Sequence, residues 1–275
     1  MAGTSWRRRV VLIGGVVLAL GGLLAGAMWA FQRSLVFVPD AAPVTAPDGV
    51  REVTLTTSDD LELGAWLVEP DAASDRETAV LYAPGNGGNR AGRIDIARGI
   101  AAEGFTVLLV DYRGYGGNPG SPSEDGLARD AHAAAELLRS EGFDPAQTLY
   151  LGESIGTGVV ARLQADVPPA GVLLRSPFTD FVAVASHHFP FLPVRTMMRD
   201  EFPVEEHLGA SDVPVTVLHG TADDIVPSEL SVQVAETAGN LVEEVALDGV
   251  GHNDAEMFGR PVIDALVRLA DQLER

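Results

Sequence analysis

The chain has 275 residues, 46% of them hydrophobic, which suits one large α/β domain with an appendage and is too apolar for a disordered chain. It contains no cysteine and no lysine, which removes disulfides, thiolate nucleophiles, Cys-based metal sites, Walker-type phosphate loops, pyridoxal Schiff bases and Ser-Lys dyads. All 19 basic residues are arginine against 39 acids, and a net charge of −20 repels nucleic-acid phosphates and anionic lipid, so neither is expected as a partner of the folded domain.

The first predicted element is the uncharged run from Val10 to Phe31, which follows Arg7-Arg8-Arg9. As a helix it extends about 33 Å, long enough to cross a bilayer core. The arginines hold the N-terminus in the cytoplasm, so the remainder is expected on the extracytoplasmic side of a single-pass membrane protein. The competing reading is a secretory signal cleaved at the A-x-A pattern Ala25-Gly26-Ala27, releasing a soluble chain that begins at Met28. The run exceeds an ordinary signal h-region, which favours an uncleaved anchor through residues 10–31. The expected organisation is an anchor over 1–31 and a globular domain over 32–275, standing upright off the membrane because its acidic surface is repelled by anionic headgroups.

Short strands are predicted at "RSLVFVPD" and "VREVTLTT", with "LELGAWLVEP" closing a hairpin after the Asp59-Asp60 turn. Then strand-like runs "TAVLYAP", "FTVLLVDY", "TLYLGE", "GVLLRSP", "VPVTVLHG" and "VEEVALDG" alternate with helix-like segments near 89–103, 123–140, 154–166, 228–239 and 260–274. Near-continuous apolar strands alternating with amphipathic helices predict an α/β fold, a mostly parallel sheet covered on both faces. The proline-rich stretch from Pro177 to Val213 interrupts the alternation and reads as an inserted cap. Its Phe178, Phe181, Phe189, Phe191, Leu192, Met197 and Met198 are expected to shape an acyl pocket, the plain alternative being that they form the cap's own small core.

In an open parallel sheet, functional groups gather at the carboxyl ends of strands. Three ends carry chemistry. "LYLGESIGTG" sets Ser154 between two glycines at a strand-to-helix seam, where a helix cap is the plain alternative. "VLHGTADDIVP" delivers Asp223 and Asp224, and "VALDGVGHND" delivers His252, in the chain order Ser, Asp, His. A serine hydroxyl needs an imidazole to take its proton, and the imidazole needs a carboxylate to fix its tautomer. The tetrahedral intermediate needs two N–H donors. They are assigned to the backbone of Ile155 and, from "PGNGG", of Asn86, with Gly87 second. No histidine pair has H-E-x-x-H spacing, so a zinc hydrolase has no support; the expected chemistry uses neither a metal nor another cofactor.

With these residues in place, the chain resembles the α/β-hydrolase-fold serine hydrolases, and particularly the membrane-anchored α/β-hydrolase domain proteins whose eukaryotic branch includes depalmitoylases. The resemblance spans nearly all of residues 32–275. It rests on "SLVFVPD", "PGNGGN", "DYRGYGGNPGSPSEDGLARDAHAA", "GESIGTG", "RSPFTD", "HGTADDIVP" and "GHND". It implies the α/β-hydrolase fold, Asp223 as the acid with Asp224 its neighbour, and cleavage of an ester, thioester or amide in a small or lipid-like acyl substrate. Two positions depart from the pattern: Pro84 where many relatives have histidine, and Asn118 where serine is frequent. The expected function is a carboxylesterase or thioesterase acting through an acyl-enzyme. The alternatives are a non-catalytic binding protein on the same fold, or a peptidase resembling the prolyl oligopeptidase catalytic domain.

Overall fold

A computed structural model describes residues 3–273; the side chains of Arg7 in the basic cluster and Ala25 in the A-x-A pattern lie outside the described residues. The strand-forming runs assemble into one eight-stranded sheet. β1 (Arg51–Thr56) and β2 (Glu62–Val68) form the hairpin, with Asp60 at φ 61° in its turn. β3 (Thr78–Ala83), β4 (Phe105–Leu109), β5 (Thr148–Glu153), β6 (Gly171–Arg175), β7 (Val215–Gly220) and β8 (Leu241–Leu247) follow in the chain. Their order across the sheet is β1-β2-β4-β3-β5-β6-β7-β8, and β2 alone runs opposite to the other seven. The central strands are buried along their whole length because helices cover both faces.

The helices are α1 (Gly3–Val36), α2 (Ile94–Ala102), α3 (Glu124–Ser140), α4 (Ile155–Asp166), α5 (Phe181–His188), α6 (Val194–Met197), α7 (Val204–Gly209), α8 (Ser228–Thr237) and α9 (Arg260–Leu273). α3, α4 and α8 pack on one sheet face through residues such as Leu127, Val159 and Val234; α2 and α9 cover the other through Ile100, Val262 and Leu266. α3 shows how local chemistry sets an end. Ser123 Oγ accepts from Gly126 N, Glu124 and Asp125 sit at the positive end of the helix dipole, and Arg139 sits at its negative end.

Residues 177–213 hold α5, α6 and α7. Asp180 starts α5 by accepting from Ala183 N at 2.6 Å. Phe178 and Phe181 do not face a substrate space: they pack with each other at 5.6 Å between ring centroids, and Phe181 packs on Phe202 at 6.3 Å.

The main difference from the sequence reading lies at the N-terminal junction. "RSLVFVPD" is predicted as a strand, yet α1 runs unbroken through Val36, across the expected boundary at 31/32. Only Val38–Pro39 makes a two-residue bridge, to Gly87–Gly88. The β-branched and aromatic residues there favour a strand locally, but tertiary contacts override the preference. Arg33 forks onto Asp200 at 2.7 and 2.9 Å, Gln32 bonds Met197 O and Arg199 N, and Phe37 packs edge-on against Phe202. Arg33 also lies in the last turn, where the helix dipole favours a cation.

Candidate active site

The end of β5 and the start of α4 form a turn with no spare room. Ser154 sits at φ 52°, ψ −117°, in the left-handed half of backbone space that a non-glycine residue occupies only when its surroundings enforce it. The flanking glycines explain the enforcement. A Cβ on Gly156 would lie 2.2 Å from Ala83 O, and one on Gly152 would lie 2.7 Å from Gly156 O. Ser154 precedes the helix, but its hydroxyl makes no cap hydrogen bond, so the plain capping role is not the one it serves. Its backbone is pinned instead, with Ser154 N donating to Arg175 O at 2.8 Å and Thr157 Oγ1 donating to Ser154 O at 2.6 Å.

Asp223 and His252 arrive from the ends of β7 and β8. Asp223 Oδ2 lies 2.7 Å from His252 Nδ1, and both residues are buried. Asp223 Oδ1 accepts from Ile225 N and Val226 N, at 3.0 and 2.8 Å, so the carboxylate is fixed from two sides. Burial opposes its charge, but the hydrogen bond and charge of His252, with the two backbone N–H groups, outweigh it and hold the carboxyl below its ordinary value. Asp224 is exposed. Geometry therefore separates the two neighbours that the motif leaves adjacent.

Ser154, His252, Gly85, Asn86 and Ile225 line an open cleft of about 460 Å³. None of the seven cap residues expected to shape an acyl pocket lines it. Ile155 is buried beneath, and as the first residue of α4 it carries one of the helix's orphan N–H donors. The Asn86 side chain is committed elsewhere: Nδ2 donates to Val36 O, while Oδ1 accepts from Tyr115 OH at 2.9 Å and Val38 N at 3.3 Å. With the side chain so engaged, the backbone is the part of Asn86 left for the oxyanion role expected from the sequence. Gly87, the second choice, is paired with Val38 in the two-residue bridge.

The two unusual positions are absorbed structurally. Pro84 O accepts from Tyr112 OH at 2.9 Å, and Asn118 clamps Gly64 through its N–H and C=O while donating to Asp111 O.

Sequence reasoning missed a buried ionic cluster under the serine. Glu153 Oε2 accepts from Tyr82 OH at 2.7 Å, and Oε1 accepts from Arg93 Nη2 at 2.7 Å. Arg175 Nη2 lies 2.9 Å from Glu153 Oε1, close enough for an ion pair although its N–H is not aimed at the oxygen. Burial works against the Glu153 charge, but Arg175, Arg93 and the Tyr82 hydroxyl pull its carboxyl down to about 2. Arg175 Nη1 also donates to His252 O at 2.9 Å, so one side chain ties the serine turn to the histidine loop. The available signal was an arginine ending the apolar strand "GVLLR", where a charge must find a buried partner.

The remaining histidines lie apart. His132 pairs with Asp166 and buried His219 faces Glu244, each at 3.1 Å. Among the described residues no group of three or more histidine, aspartate or glutamate side chains could hold a metal ion.

Comparison with known proteins gives four findings. A family model described as serine aminopeptidase, S33, matches residues 74–199. An uncharacterized protein of Mycobacterium tuberculosis is 42% identical over 262 residues, covering 92% of this chain and 93% of its own. The Homo sapiens alpha/beta hydrolase domain-containing protein 17B is 35% identical over 155 residues, covering 56% of this chain and 52% of its own. Among solved structures, an esterase from Pyrococcus furiosus superposes with a TM-score of 0.67 at 18% identity, covering 87% of this chain and 98% of its own.

Proposed function

The chain belongs to the α/β-hydrolase family, and from that membership we propose that it is a serine hydrolase, most simply a carboxylesterase or thioesterase, working through an acyl-enzyme on Ser154. The observation that carries this reading is the 2.7 Å contact of Asp223 with His252, beside a cleft that His252 shares with a strained, uncapped Ser154.

In this reading Ser154 Oγ attacks the substrate carbonyl carbon as His252 Nε2 takes its proton. Asp223 holds the Nδ1–H tautomer and balances the imidazolium. The backbone N–H groups of Ile155 and Asn86 receive the developing oxyanion. His252 returns the proton to the leaving alcohol, thiol or amine as the carbon–leaving-group bond breaks. A water, deprotonated by the same imidazole, then attacks the acyl-Ser154 ester, and the released serine recovers its proton. No residue in this sequence of steps requires a metal or cofactor.

Among the described residues one helix, within Arg8–Val36, is long and apolar enough to cross a membrane. With the arginines at its start, it supports an anchor through residues 10–31 with the domain on the extracytoplasmic side. A signal cleaved after Ala27 is the competing outcome, and the intact mass of the native protein separates the two. The activity is tested by hydrolysis of aryl esters and thioesters of graded acyl length. Turnover by the native chain and none by Ser154→Ala supports the proposal; equal rates in both would end it.

A further inference from the structure

The cap carries a surface that the proposed chemistry does not use. Between α1 and the cap runs an apolar groove of about 120 Å³, walled by Met28, Trp29 and Leu35 on one side and Phe189, Leu192 and Met198 on the other. Beside it Phe191 is 96% exposed and Phe189 57% exposed, an arrangement that water alone does not favour. Charge follows the same boundary. Residues 181–199 contain two arginines, two histidines and no acid, within a chain whose net charge is −20. Arg195 and Arg199 are both exposed, and Arg199 stacks over the Trp29 ring at 5.2 Å. The aspartates at either end are occupied, Asp180 capping α5 and Asp200 gripping Arg33.

From this we infer that the cap face formed by residues 187–199, together with the last turns of α1, is a second membrane-contact surface, seated in the interface of a bilayer that contains anionic phospholipid. The inference rests on the reading of α1 as a membrane anchor. One wall of the groove is α1 itself, apolar there apart from Gln32, so the hydrocarbon that surrounds α1 continues along the groove. Trp29 marks the level of the interface, where amphipathic rings gather, and Arg199 beside it reaches lipid phosphate. Phe189, Phe191 and Leu192 then enter the outer acyl region, as the apolar face of an interfacial segment does. The domain therefore leans on the bilayer through a face whose residues 181–199 carry no acid, instead of standing off it as the overall charge predicts.

The contact of α1 with the cap makes this orientation a fixed one. The Arg33–Asp200 fork and the Gln32 hydrogen bonds hold the helix end to the segment that would dip into the lipid. Because Asn86 Nδ2 donates to Val36 O, the same helix end reaches the cleft's rim, and a substrate with one apolar end meets the site from the membrane side.

The absence of cysteine makes the test clean. Single cysteines replace Phe191, Val16 within the helix, and Ala73, exposed in the loop entering β3. Each full-length variant is nitroxide-labelled and reconstituted in vesicles of phosphatidylcholine with phosphatidylglycerol, or of phosphatidylcholine alone. Collision with oxygen and with a water-soluble nickel chelate reports depth. The Val16→Cys label should be chelate-protected, the Phe191→Cys label protected at a shallower level, and the Ala73→Cys label fully accessible. Adding Arg195→Gln and Arg199→Gln should reduce protection at position 191 severalfold in the anionic vesicles and little in the neutral ones. A position-191 label as accessible as that at 73, with position 16 still protected, overturns the inference and leaves the anchor standing. Accessibility at 16 as well overturns both. Spin–spin broadening at 191 that disappears on dilution with unlabelled protein would assign the face to a second copy of the chain and refute the lipid assignment.

Discussion

Around Ser154 the backbone is confined on every side: glycines at 152 and 156 have no space for a Cβ, Asp223 is held by three donors, and Arg175 joins two loops. At the junction of α1 with the cap, a few polar latches at Gln32, Arg33 and Asp200 hold two apolar surfaces that stay largely exposed. The first region is closely confined, while the second leaves apolar surface open, as the proposed lipid contact requires. Substitutions at the serine turn should therefore act on turnover and folding, whereas those at the junction should act on placement and only mildly on rate.

The sharpest break comes from Ser154→Ala. Turnover should fall by roughly 10⁴-fold or more, His252→Ala should match it, and the double variant should add little, because the residues act as a unit. Steady-state hydrolysis with circular dichroism as the folding control checks this. Next is the pair of aspartates. Asp223→Asn should lower kcat by about 10²–10⁴-fold through the wrong imidazole tautomer, and exposed Asp224→Asn by less than about tenfold. The reverse ranking would mean that the 2.7 Å contact is not the working one.

Arg175→Met tests whether the buried cluster positions the histidine loop. Removing one partner leaves Glu153 short of a counter-charge and His252 O short of a donor, a change expected to cost about 3 kcal/mol by denaturant melts. The same cluster predicts an acid limb of comparable size. The folded-state carboxyl of Glu153 lies at about 2, below its unfolded value, so its contribution is present above that unfolded value and is lost as pH falls from about 4.5 towards 2. Its loss amounts to on the order of 3 kcal/mol. Urea melts from pH 6 down to pH 2.5 should show it, and a flat profile would contradict the ionised cluster. Smallest is Asn86→Ala, which removes the side-chain latch but keeps the backbone N–H. We expect kcat to drop by roughly three- to tenfold through a looser loop, with KM little changed.

The parallel sheet was legible because each strand is a short apolar run followed by a helix-period pattern, and both periodicities are local. That Ser154, Asp223 and His252 would fall at neighbouring strand ends was legible because the turn and loop residues around them are tied to those ends. The Glu153–Arg175 pair was not, since the register of β5 beside β6 brings the two together and nothing local announces it. "SLVFV" misled for a related reason: its residues favour a strand, while Asp200, more than 160 residues onward, holds the chain in a helix. Of the cap's phenylalanines, Phe178 and Phe181 pack inward while Phe189 and Phe191 stay exposed, a division that residue type alone does not reveal.

The central claim, an acyl-enzyme on Ser154, is most directly tested by treating the full-length protein with a fluorophosphonate and mapping the adduct by peptide mass spectrometry. A single adduct is expected on the peptide carrying Ser154, absent in Ser154→Ala and strongly slowed in His252→Ala. An adduct on another residue, or labelling that survives Ser154→Ala, would contradict it.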